Sequence, residues 1–338
     1  MKELTRDILD PKEVEKLKRY LASKPKLIIL THANPDGDAI GSAIGLYNGF
    51  KEAGLEVDVA CIDPCPEEFL YLKNTKKLKQ DFNPDDYQAV VFVDCGDKKL
   101  TRFDNQYPKI LSDEIVKINI DHHASNDNFG EINFVITDVA SATMIVYQIL
   151  KALDYKIKPD TANALITGIY TDTGGFMHQN TTPLTYQYAA ELIKLGASPQ
   201  YVAQNVFHKY SFNTLKLWGK VLQNLHVTAD GAAVVGVEEK DYENLGCTRE
   251  DLAGVIDFIN AMPEARYSVM LSEDGKGNVK ASLRTRKDDV DVKALAEQYG
   301  GGGHVKASGF TIPGGRLEKE VKWKIVQDTW IKLSTDNN

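Results

Sequence analysis

Three short apolar runs in the first half of the chain each lead into an acidic or histidine residue. The runs span residues 27–30, 89–93 and 115–120, and they are followed by Thr31-His32, Asp94 and Asp121. Runs of this length and composition are typical of strands that are buried on both faces of a parallel sheet. Ligands of such sheets bind outside the carboxyl ends of the strands, so we expect these polar side chains to meet at one edge.

Helical patterns alternate with apolar runs throughout the first half of the chain. Two further strands are predicted at 57–62 and 132–136, and helices are predicted at 11–23, 39–53, 141–153, 160–171 and 183–195. Strands that alternate with helices are typical of an open, mostly parallel α/β sheet flanked by helices. We predict this fold for a first domain at residues 1–195.

The pattern changes after residue 195. Helices predicted at 199–208 and 212–224 indicate a helical connector at 196–224. Beyond it, strands are predicted at 232–237, 266–272 and 279–285, and helices at 248–260, 291–299 and 316–333. The turn at 275–278 joins the last two strands as a hairpin. We therefore predict a smaller α+β domain at residues 225–338.

Charge and composition restrict the class of protein. The net charge of the 338-residue chain is −8, which argues against a protein that coats long nucleic acid. No apolar run approaches the roughly 18 residues that a membrane helix needs, and the charged N-terminal segment lacks the apolar core of a signal peptide. The four cysteines form no C-x-x-C pair. We expect a cytoplasmic protein with no membrane partner.

Four polar clusters suggest a metal site. They span residues 32–38, 93–97, 121–123 and 167–174. Taken singly, each cluster also has a structural explanation, such as a turn or a helix cap, but the first three share a position at strand ends and the four together favour a common site. Carboxylates and imidazoles without thiolates suit divalent metals of hard or borderline character. Their number is sufficient for a pair of metal ions that clamps a phosphoryl group.

The order of these clusters resembles the DHH phosphoesterases. The family name describes Asp121-His122-His123, and its H-x-x-P-D-x-D-x-x-G-S element is matched at every specified position by residues 32–42. Val93-Asp94 and the 171–174 stretch resemble two further motifs. Residues 300–309, Gly-Gly-Gly-Gly-His-Val-Lys-Ala-Ser-Gly, resemble the glycine-rich motif of the DHHA1 domain. The resemblance covers residues 20 to 335.

The resemblance implies a site for two divalent metal ions, with Mn²⁺ preferred and Mg²⁺ as the alternative. It assigns His32, Asp36 and Asp94 to one ion, and Asp38, Asp94, His122 and Asp172 to the other, so that Asp94 bridges the pair. It also gives His123 contact with the substrate phosphate. Asp121 is expected to orient a histidine. The implied chemistry is attack on phosphorus by a water molecule that the metals acidify.

The second domain is expected to hold the substrate across a cleft from the metals. The resemblance assigns this role to Arg284 and His304. The backbone N–H groups of Gly301, Gly302 and Gly303 can meet a phosphate in the same region, although four adjacent glycines also fit a flexible turn.

Several substrates fit the stand-alone two-domain group of this family. We predict hydrolysis of short oligoribonucleotides and of 3′-phosphoadenosine 5′-phosphate (pAp) to mononucleotides. The alternatives, in order, are a phosphodiesterase of cyclic di-AMP or pApA, a pyrophosphatase or exopolyphosphatase, and an inactive nucleotide-binding module. Met177 and His178 depart from the family pattern, which often has a basic residue near position 177, and leave the substrate open. A homodimer is also left open.

Overall fold

A parallel sheet with helices forms the first half of the chain, as the alternating pattern predicts. The computed structural model describes residues 8–206 and 210–318. The chain divides into two compact units, residues 1–209 and residues 210–338. None of the described helices is both long and apolar enough to span a membrane.

The first unit contains six parallel strands. They are β1 (Leu27–Leu30), β2 (Val57–Ala60), β3 (Leu78–Lys79), β4 (Ala89–Val93), β5 (Val116–Asp121) and β6 (Ile132–Val135). Their order in the sheet is β3-β2-β1-β4-β5-β6. The direction of strand progression therefore reverses between β1 and β4, which are direct neighbours in register from Leu27 and Ala89 onward. Open α/β sheets bind their ligands at such a reversal.

Six helices belong to the same unit. They are α1 (Pro11–Ala22), α2 (Gly37–Glu52), α3 (Ala142–Ala152), α4 (Pro159–Asp172), α5 (Pro183–Lys194) and α6 (Pro199–Val206). Alternate strand residues face two different cores, since Ile29 lies in the core that contains the helices and Ile28 lies in the other. The second core is closed by Phe82, Phe103 and Ile110 from the segments between strands. Strands β1 and β4 are therefore buried on both faces, as their uninterrupted apolar runs predict.

Helices α2 and α4 pack unusually closely. A Cβ atom on Gly41 would lie 2.6 Å from the carbonyl oxygen of Ala164. A Cβ atom on Gly168 would lie 2.3 Å from Asp38 Oδ1. Both distances are far below van der Waals contact, so only glycine fits at either position.

The second unit contains a mixed sheet and short helices. The strands are β7 (His226–Val227), β8 (Ala232–Val237), β9 (Tyr267–Glu273), β10 (Asn278–Arg284), β11 (Gly302–His304) and β12 (Ala307–Pro313), and the helices are α7 (Phe212–Gln223), α8 (Glu239–Glu243), α9 (Val255–Ile259) and α10 (Val292–Glu297). The sheet order is β11-β12-β10-β9-β8-β7, in which only β8 and β9 run parallel. The predicted hairpin is present as β9 and β10.

Some predicted elements of the second half are wrong. The helix expected at 248–260 is a short 3₁₀ turn, Arg249–Leu252, followed by α9, because Gly254 between them adopts a φ of +90°. Strand β12 was not predicted, and part of the glycine stretch pairs with it as β11. Residues 319–333 of the helix expected at 316–333 lie outside the described residues, as do residues 207 and 208 of the helix expected at 199–208.

The two helices of the predicted connector pack into different cores. Val202 of α6 lies in the core of the first unit, and Leu217 and Trp218 of α7 lie in the core of the second. The domain boundaries at 195 and 225 remain predictions.

Candidate metal centre

Asp94 lies at the centre of the polar cluster. It follows β4 directly, adopts the left-handed region with a φ of +55°, and donates its backbone N–H to the carbonyl of Ile120 on β5. The side chain is 3% exposed. Its Oδ1 atom is buried and has no hydrogen-bond partner among the described residues. A buried carboxylate oxygen of this kind is costly unless a cation binds it.

One group of potential ligands is formed by His32, Asp36 and Asp94. His32 Nδ1 lies 2.9 Å from the carbonyl oxygen of Ala33 and must donate to it, since a carbonyl only accepts. The other ring nitrogen, Nε2, then faces the carboxylates, 3.6 Å from Asp94 Oδ2 and 3.9 Å from Asp36 Oδ1. The ligand atoms of the group lie within 4.8 Å of one another, so they can hold a metal ion.

A second group surrounds His122. Its Nε2 atom lies 3.4 Å from Asp172 Oδ2, 3.9 Å from Asp38 Oδ2 and 3.6 Å from Asp94 Oδ1. Asp38, His122 and Asp172 also satisfy the 4.8 Å criterion. Asp94 therefore directs Oδ2 toward the first group and Oδ1 toward the second, which is the arrangement that a bridging carboxylate requires.

Asp38 is held by the first turn of a neighbouring helix. Its side chain is fully buried and accepts hydrogen bonds from the backbone N–H groups of Ala142, at 2.5 Å, and Thr143, at 3.0 Å. These N–H groups lie at the N-terminus of α3, where the helix dipole favours a carboxylate. Two elements that are far apart in sequence are thereby fixed to each other at the site.

His123 is oriented by a buried polar network. Its Nδ1 donates to Asp121 Oδ1 at 2.8 Å, and Asn126 Nδ2 donates to Asp121 Oδ2 at 2.7 Å and to the Cys95 carbonyl at 3.1 Å. The hydrogen bond that His123 donates to the Asp121 carboxylate raises the pKa of His123. Burial opposes ionisation of Asp121, but its bonds with His123 and Asn126 prevail and lower its pKa. Asn126 was missed in the sequence because its spacing carries no signal of its own.

His123 also offers a ligand atom near Asp94 and His122, and these three form a third group that satisfies the 4.8 Å criterion. Its Nδ1 atom lies 3.7 Å from Asp94 Oδ1, but the same nitrogen donates to Asp121. The assignment of His123 to the substrate remains a prediction.

The crowding of carboxylates perturbs their protonation. Burial and the charges of Asp94 and Asp36 raise the pKa of Asp172 to about 8. Burial and the charges of Asp94 and Asp172 raise the pKa of Asp38 well above its ordinary value. Burial disfavours the charged form of His32, yet the hydrogen bond and charge of Asp94 outweigh it and raise the pKa to about 9. A site that must retain protons to offset its own charge is suited to cations.

Two cysteines lie near the cluster without joining it. Cys61 Sγ donates to the carbonyl of His32, and Cys95 Sγ donates to the carbonyl of Val93. Burial raises the pKa of Cys61 to about 11 and that of Cys95 well above its usual value. Both therefore remain thiols at neutral pH. The donors that fit a metal are carboxylate oxygens and imidazole nitrogens, which suit divalent ions such as Mn²⁺ or Mg²⁺.

The cluster opens into a cavity of about 500 Å³. Its lining includes His32, Asp36, Asp94, His122, His123 and Asp172 from the predicted site. Lys99, Leu100, Arg102 and Ser125 also line it, and the sequence did not single them out.

The segment after Asp172 folds back on that residue. Gly174, Gly175 and Phe176 adopt φ values of +56°, +69° and +68°. This turn brings His178 Nδ1 to 3.2 Å from the carbonyl oxygen of Asp172, to which it donates. His178 therefore supports the end of α4, while the side chain of Met177 is exposed.

The second unit places its two predicted substrate residues in one row. Arg284 of β10 and His304 of β11 both pair with Ala307 of the intervening strand β12. Residues paired in this way share a face of the sheet, with about 4.8 Å between neighbouring strands. The Arg284 guanidinium lies 3.8 Å from Asp257 Oδ1 and donates to the carbonyl of Leu283.

The predicted glycines differ in their surroundings. A Cβ atom on Gly301 would lie 2.2 Å from the Gly309 carbonyl oxygen, and one on Gly303 would lie 2.7 Å from that of Ala307. Packing against β12 therefore accounts for these two glycines. Gly302 has no described atom within 4 Å of its Cβ position and leaves its backbone open.

Comparison with known proteins identifies the family. Residues 26–169 match the DHH family, N-terminal domain, and residues 231–327 match the DHHA1 domain. A bifunctional oligoribonuclease and PAP phosphatase, NrnA, from Thermus thermophilus is 31% identical over an alignment of 309 positions that covers 87% of this chain and 86% of that protein. The chain belongs to the DHH family. It is a phosphoesterase.

Two further proteins extend the comparison. The NrnA protein of Bacillus subtilis, with the same bifunctional description, is 28% identical over 87% of this chain and 91% of its own length. The crystal structure of an exopolyphosphatase-related protein from Bacteroides fragilis shares the fold, with a TM-score of 0.81 at 24% identity over 90% of this chain and 92% of that one.

The DHH match contains all but one of the predicted metal ligands. It ends at residue 169, before Asp172. Asp172 nevertheless lies in the cluster, since its Oδ2 atom is 3.4 Å from His122 Nε2. The DHHA1 match contains Arg284, the glycine stretch and His304.

Proposed function

We propose that the chain is a metal-dependent phosphoesterase that hydrolyses short oligoribonucleotides and pAp to mononucleotides. The observation that carries the metal dependence is the division of the two Asp94 oxygens between two groups of ligands. The substrate class is supported by two NrnA relatives, whose printed names describe oligoribonuclease and PAP phosphatase activity and which match over most of both chains.

The proposed ligands are the residues of the two groups. His32, Asp36 and Asp94 hold one divalent ion, and Asp38, Asp94, His122 and Asp172 hold the other. When bound, a pair of such ions lowers the pKa of water and neutralises charge on the phosphoryl oxygens. Neutral imidazole and ionised carboxylate are the forms that bind metal, so His32 and Asp172 release their protons on loading.

His123 is proposed to bind the phosphate. Because Asp121 accepts from Nδ1, the opposite nitrogen, Nε2, is left to donate to a phosphoryl oxygen. The raised pKa of His123 keeps this donor protonated to a higher pH than an ordinary imidazole. A charged donor that is held in place before substrate arrives stabilises the negative charge that develops in the transition state. Arg284 and His304 are proposed to hold the remainder of the substrate.

A substrate panel tests this proposal. The full chain would be assayed with added Mn²⁺ on pAp, short RNAs, pApA, cyclic di-AMP, pyrophosphate and polyphosphate. We expect pAp and short RNAs to give the highest kcat/KM. Pyrophosphate or polyphosphate as the best substrate would overturn the nucleotide assignment, and cyclic di-AMP as the best would replace it with the phosphodiesterase alternative.

A matched pair of variants tests the metal assignment. Asp94→Asn is expected to lower kcat/KM by at least about 100-fold and to reduce the bound manganese, since even residues that only orient ligands contribute about 10–100-fold. Asp127→Asn, at an exposed aspartate between β5 and β6, serves as the control with the same change of charge. Equal activity of the two variants would remove Asp94 from the site.

A further inference from the structure

A short cationic turn follows Asp94 and lines the same cavity as the metal ligands. Residues 98–101 form a 3₁₀ helix, Lys98–Thr101, with Arg102 directly after it. Lys99, Leu100 and Arg102 line the cavity, whereas Lys98 does not. The Lys98 ammonium instead lies over the ring of Phe129, 5.8 Å from its centre.

This turn is fixed before any substrate arrives. Asp97 Oδ1 accepts the backbone N–H of Lys99 at 2.7 Å, and the carbonyl of Leu100 accepts from Ala33 at 2.8 Å. The latter bond ties the turn to the loop that carries His32. Phe103 is wholly buried and anchors the end of the turn in the core. The cations are thus presented from a preorganised backbone.

Arg102 adopts a conformation that a side chain seldom tolerates. Its φ is +59°, in the left-handed region. Glycine, asparagine or aspartate is the usual choice there. At this position the chain carries a long cationic side chain, and Arg102 lines the cavity that contains the metal-ligand candidates.

Lys99 and Arg102 have no acidic partner among the described residues. Lys109 and Lys117, by contrast, pair with Asp85 and Glu131. The exposed Ser125 adds a hydroxyl to the same lining. It lies close to the backbone of Gly96, since a Cβ atom built on Gly96 would lie 2.9 Å from Ser125 Oγ.

We propose that Lys99 and Arg102 bind a second phosphate of the substrate, the one that is not hydrolysed. Arginine and lysine are the side chains that bind phosphate most strongly, and Ser125 supplies a neutral donor. Leu100, half of whose surface is exposed, offers an apolar contact for the sugar or base between the two phosphates. The cavity is large enough for a nucleotide, since small-molecule sites occupy about 300–1,000 Å³.

The inference rests on the proposed function and makes it more specific. In pAp the 5′-phosphate is remote from the 3′-phosphate that is removed. In a 5′-phosphorylated dinucleotide, the terminal phosphate is remote from the diester that is cleaved. A single anion subsite therefore accounts for the acceptance of two unlike substrates, and it predicts discrimination against nucleotides that carry only one phosphate.

The test compares pAp with adenosine 3′-phosphate, which lacks the second phosphate. We expect the unaltered chain to prefer pAp, and Arg102→Asn to lower kcat/KM for pAp by about 10–100-fold, the range for a lost charged hydrogen bond. Adenosine 3′-phosphate should be affected by less than about threefold, since the contact never forms with it. Asparagine is chosen because it accepts the left-handed backbone.

Three further variants complete the design. Lys99→Ala should reduce the preference for pAp in the same way, and Arg102→Lys should retain part of it because the charge remains. Lys98→Ala, which removes the adjacent charge outside the cavity, should leave both substrates unchanged.

The following outcomes would overturn the inference that Lys99 and Arg102 form a phosphate subsite. Equal losses on both substrates would mean that the cations act only through the general field of the cleft. An unaltered chain without preference for pAp, or an Arg102→Asn variant that keeps the preference, would exclude the subsite. If the unaltered chain hydrolyses neither nucleotide, the proposed function fails. In that case, calorimetric titration of pAp and adenosine 3′-phosphate into the same variants tests the subsite by binding affinity alone.

Discussion

Asp94 combines a left-handed backbone with a buried carboxylate oxygen that has no hydrogen-bond partner among the described residues. Aspartate enters the left-handed region more readily than most side chains do. The unpaired buried oxygen, by contrast, is unfavourable for the isolated fold. The left-handed backbone turns the chain at the end of β4, so that the two oxygens face the two ligand groups.

The protonation of the cluster predicts how stability depends on pH. His32 and Asp172 have raised pKa values, about 9 and about 8, so the folded chain retains protons that the unfolded chain releases. We therefore expect the metal-free chain to lose thermal stability as the pH rises from about 5.5 to about 8.5. Added Mn²⁺ should stabilise the chain most at the upper end of this range. Thermal unfolding in chelator and in manganese measures both effects.

Asp94→Asn provides the control for this prediction. The Asp94 charge contributes to the raised pKa of both groups, and asparagine keeps the left-handed backbone. The thermal stability of this variant should therefore depend less on pH. If the metal-free wild-type chain became more stable as the pH rose through this range, the raised pKa values assigned to His32 and Asp172 would be contradicted.

At the scale of elements, the contact between α2 and α4 is the feature that fixes the site. Helix α2 carries Asp38 near its start, and α4 ends at Asp172. Glycines at 41 and 168 allow the two helices to approach closely enough for both carboxylates to reach His122. The spacing of the ligands is thus set by helix packing at a distance from the ligands themselves.

Gly41→Ala tests this packing. Its new Cβ would meet the Ala164 carbonyl, a backbone atom that has little freedom to move, so we expect a loss of about 1–3 kcal/mol in the free energy of unfolding. The control is Gly219→Ala in the exposed middle of α7, where no described atom lies within 4 Å. That variant should gain about 0.4–1 kcal/mol.

Urea unfolding followed by circular dichroism measures both glycine variants. Fluorescence would report only one unit, since all three tryptophans lie beyond residue 209. If Gly41→Ala left the free energy of unfolding unchanged, α2 and α4 would be able to move apart without loss of stability.

The sequence predicts the buried strands well, but it does not predict the very short ones. The runs at 27–30 and 89–93 coincide with β1 and β4 because a strand buried on both faces is apolar throughout. Strand β3, with two residues, and β11, within the glycine stretch, have too few side chains to show a period.

The proposed metal ligands are recognisable in the sequence for a related reason, since they follow those apolar runs or belong to a spaced motif. Lys99, Arg102 and Asn126 had no such marker. Their proximity to the site arises from a turn and a loop whose paths depend on contacts distant in sequence, such as that between Leu100 and Ala33.

At the scale of the whole molecule, net charge predicts a preference for short substrates. A chain of charge −8 repels a long polyanion, apart from the local field of the metals and cations. We expect kcat/KM for an RNA of about 20 nucleotides to be lower than for a trinucleotide, and the gap to narrow as salt rises from about 20 mM to about 200 mM, because salt screens repulsion.

The rates of release of mononucleotides from both RNAs, at each salt concentration, provide the measurement. An oligomer with uncharged methylphosphonate linkages and a single cleavable diester, which carries only one negative charge, serves as the control, since its rate should depend little on salt. A gap that widens with salt would mean that long RNA is attracted to the chain.

The order in which ligands occur along the chain has a consequence for the making of the protein. His32 lies close to the start, whereas Asp172 ends α4, well over a hundred residues later. During synthesis, a partial chain that has folded β1, β4 and β5 still lacks a ligand from the second group. The growing polypeptide therefore cannot bring the second group of potential ligands together until α4 has been made, so this group forms only when most of the first unit has been synthesised.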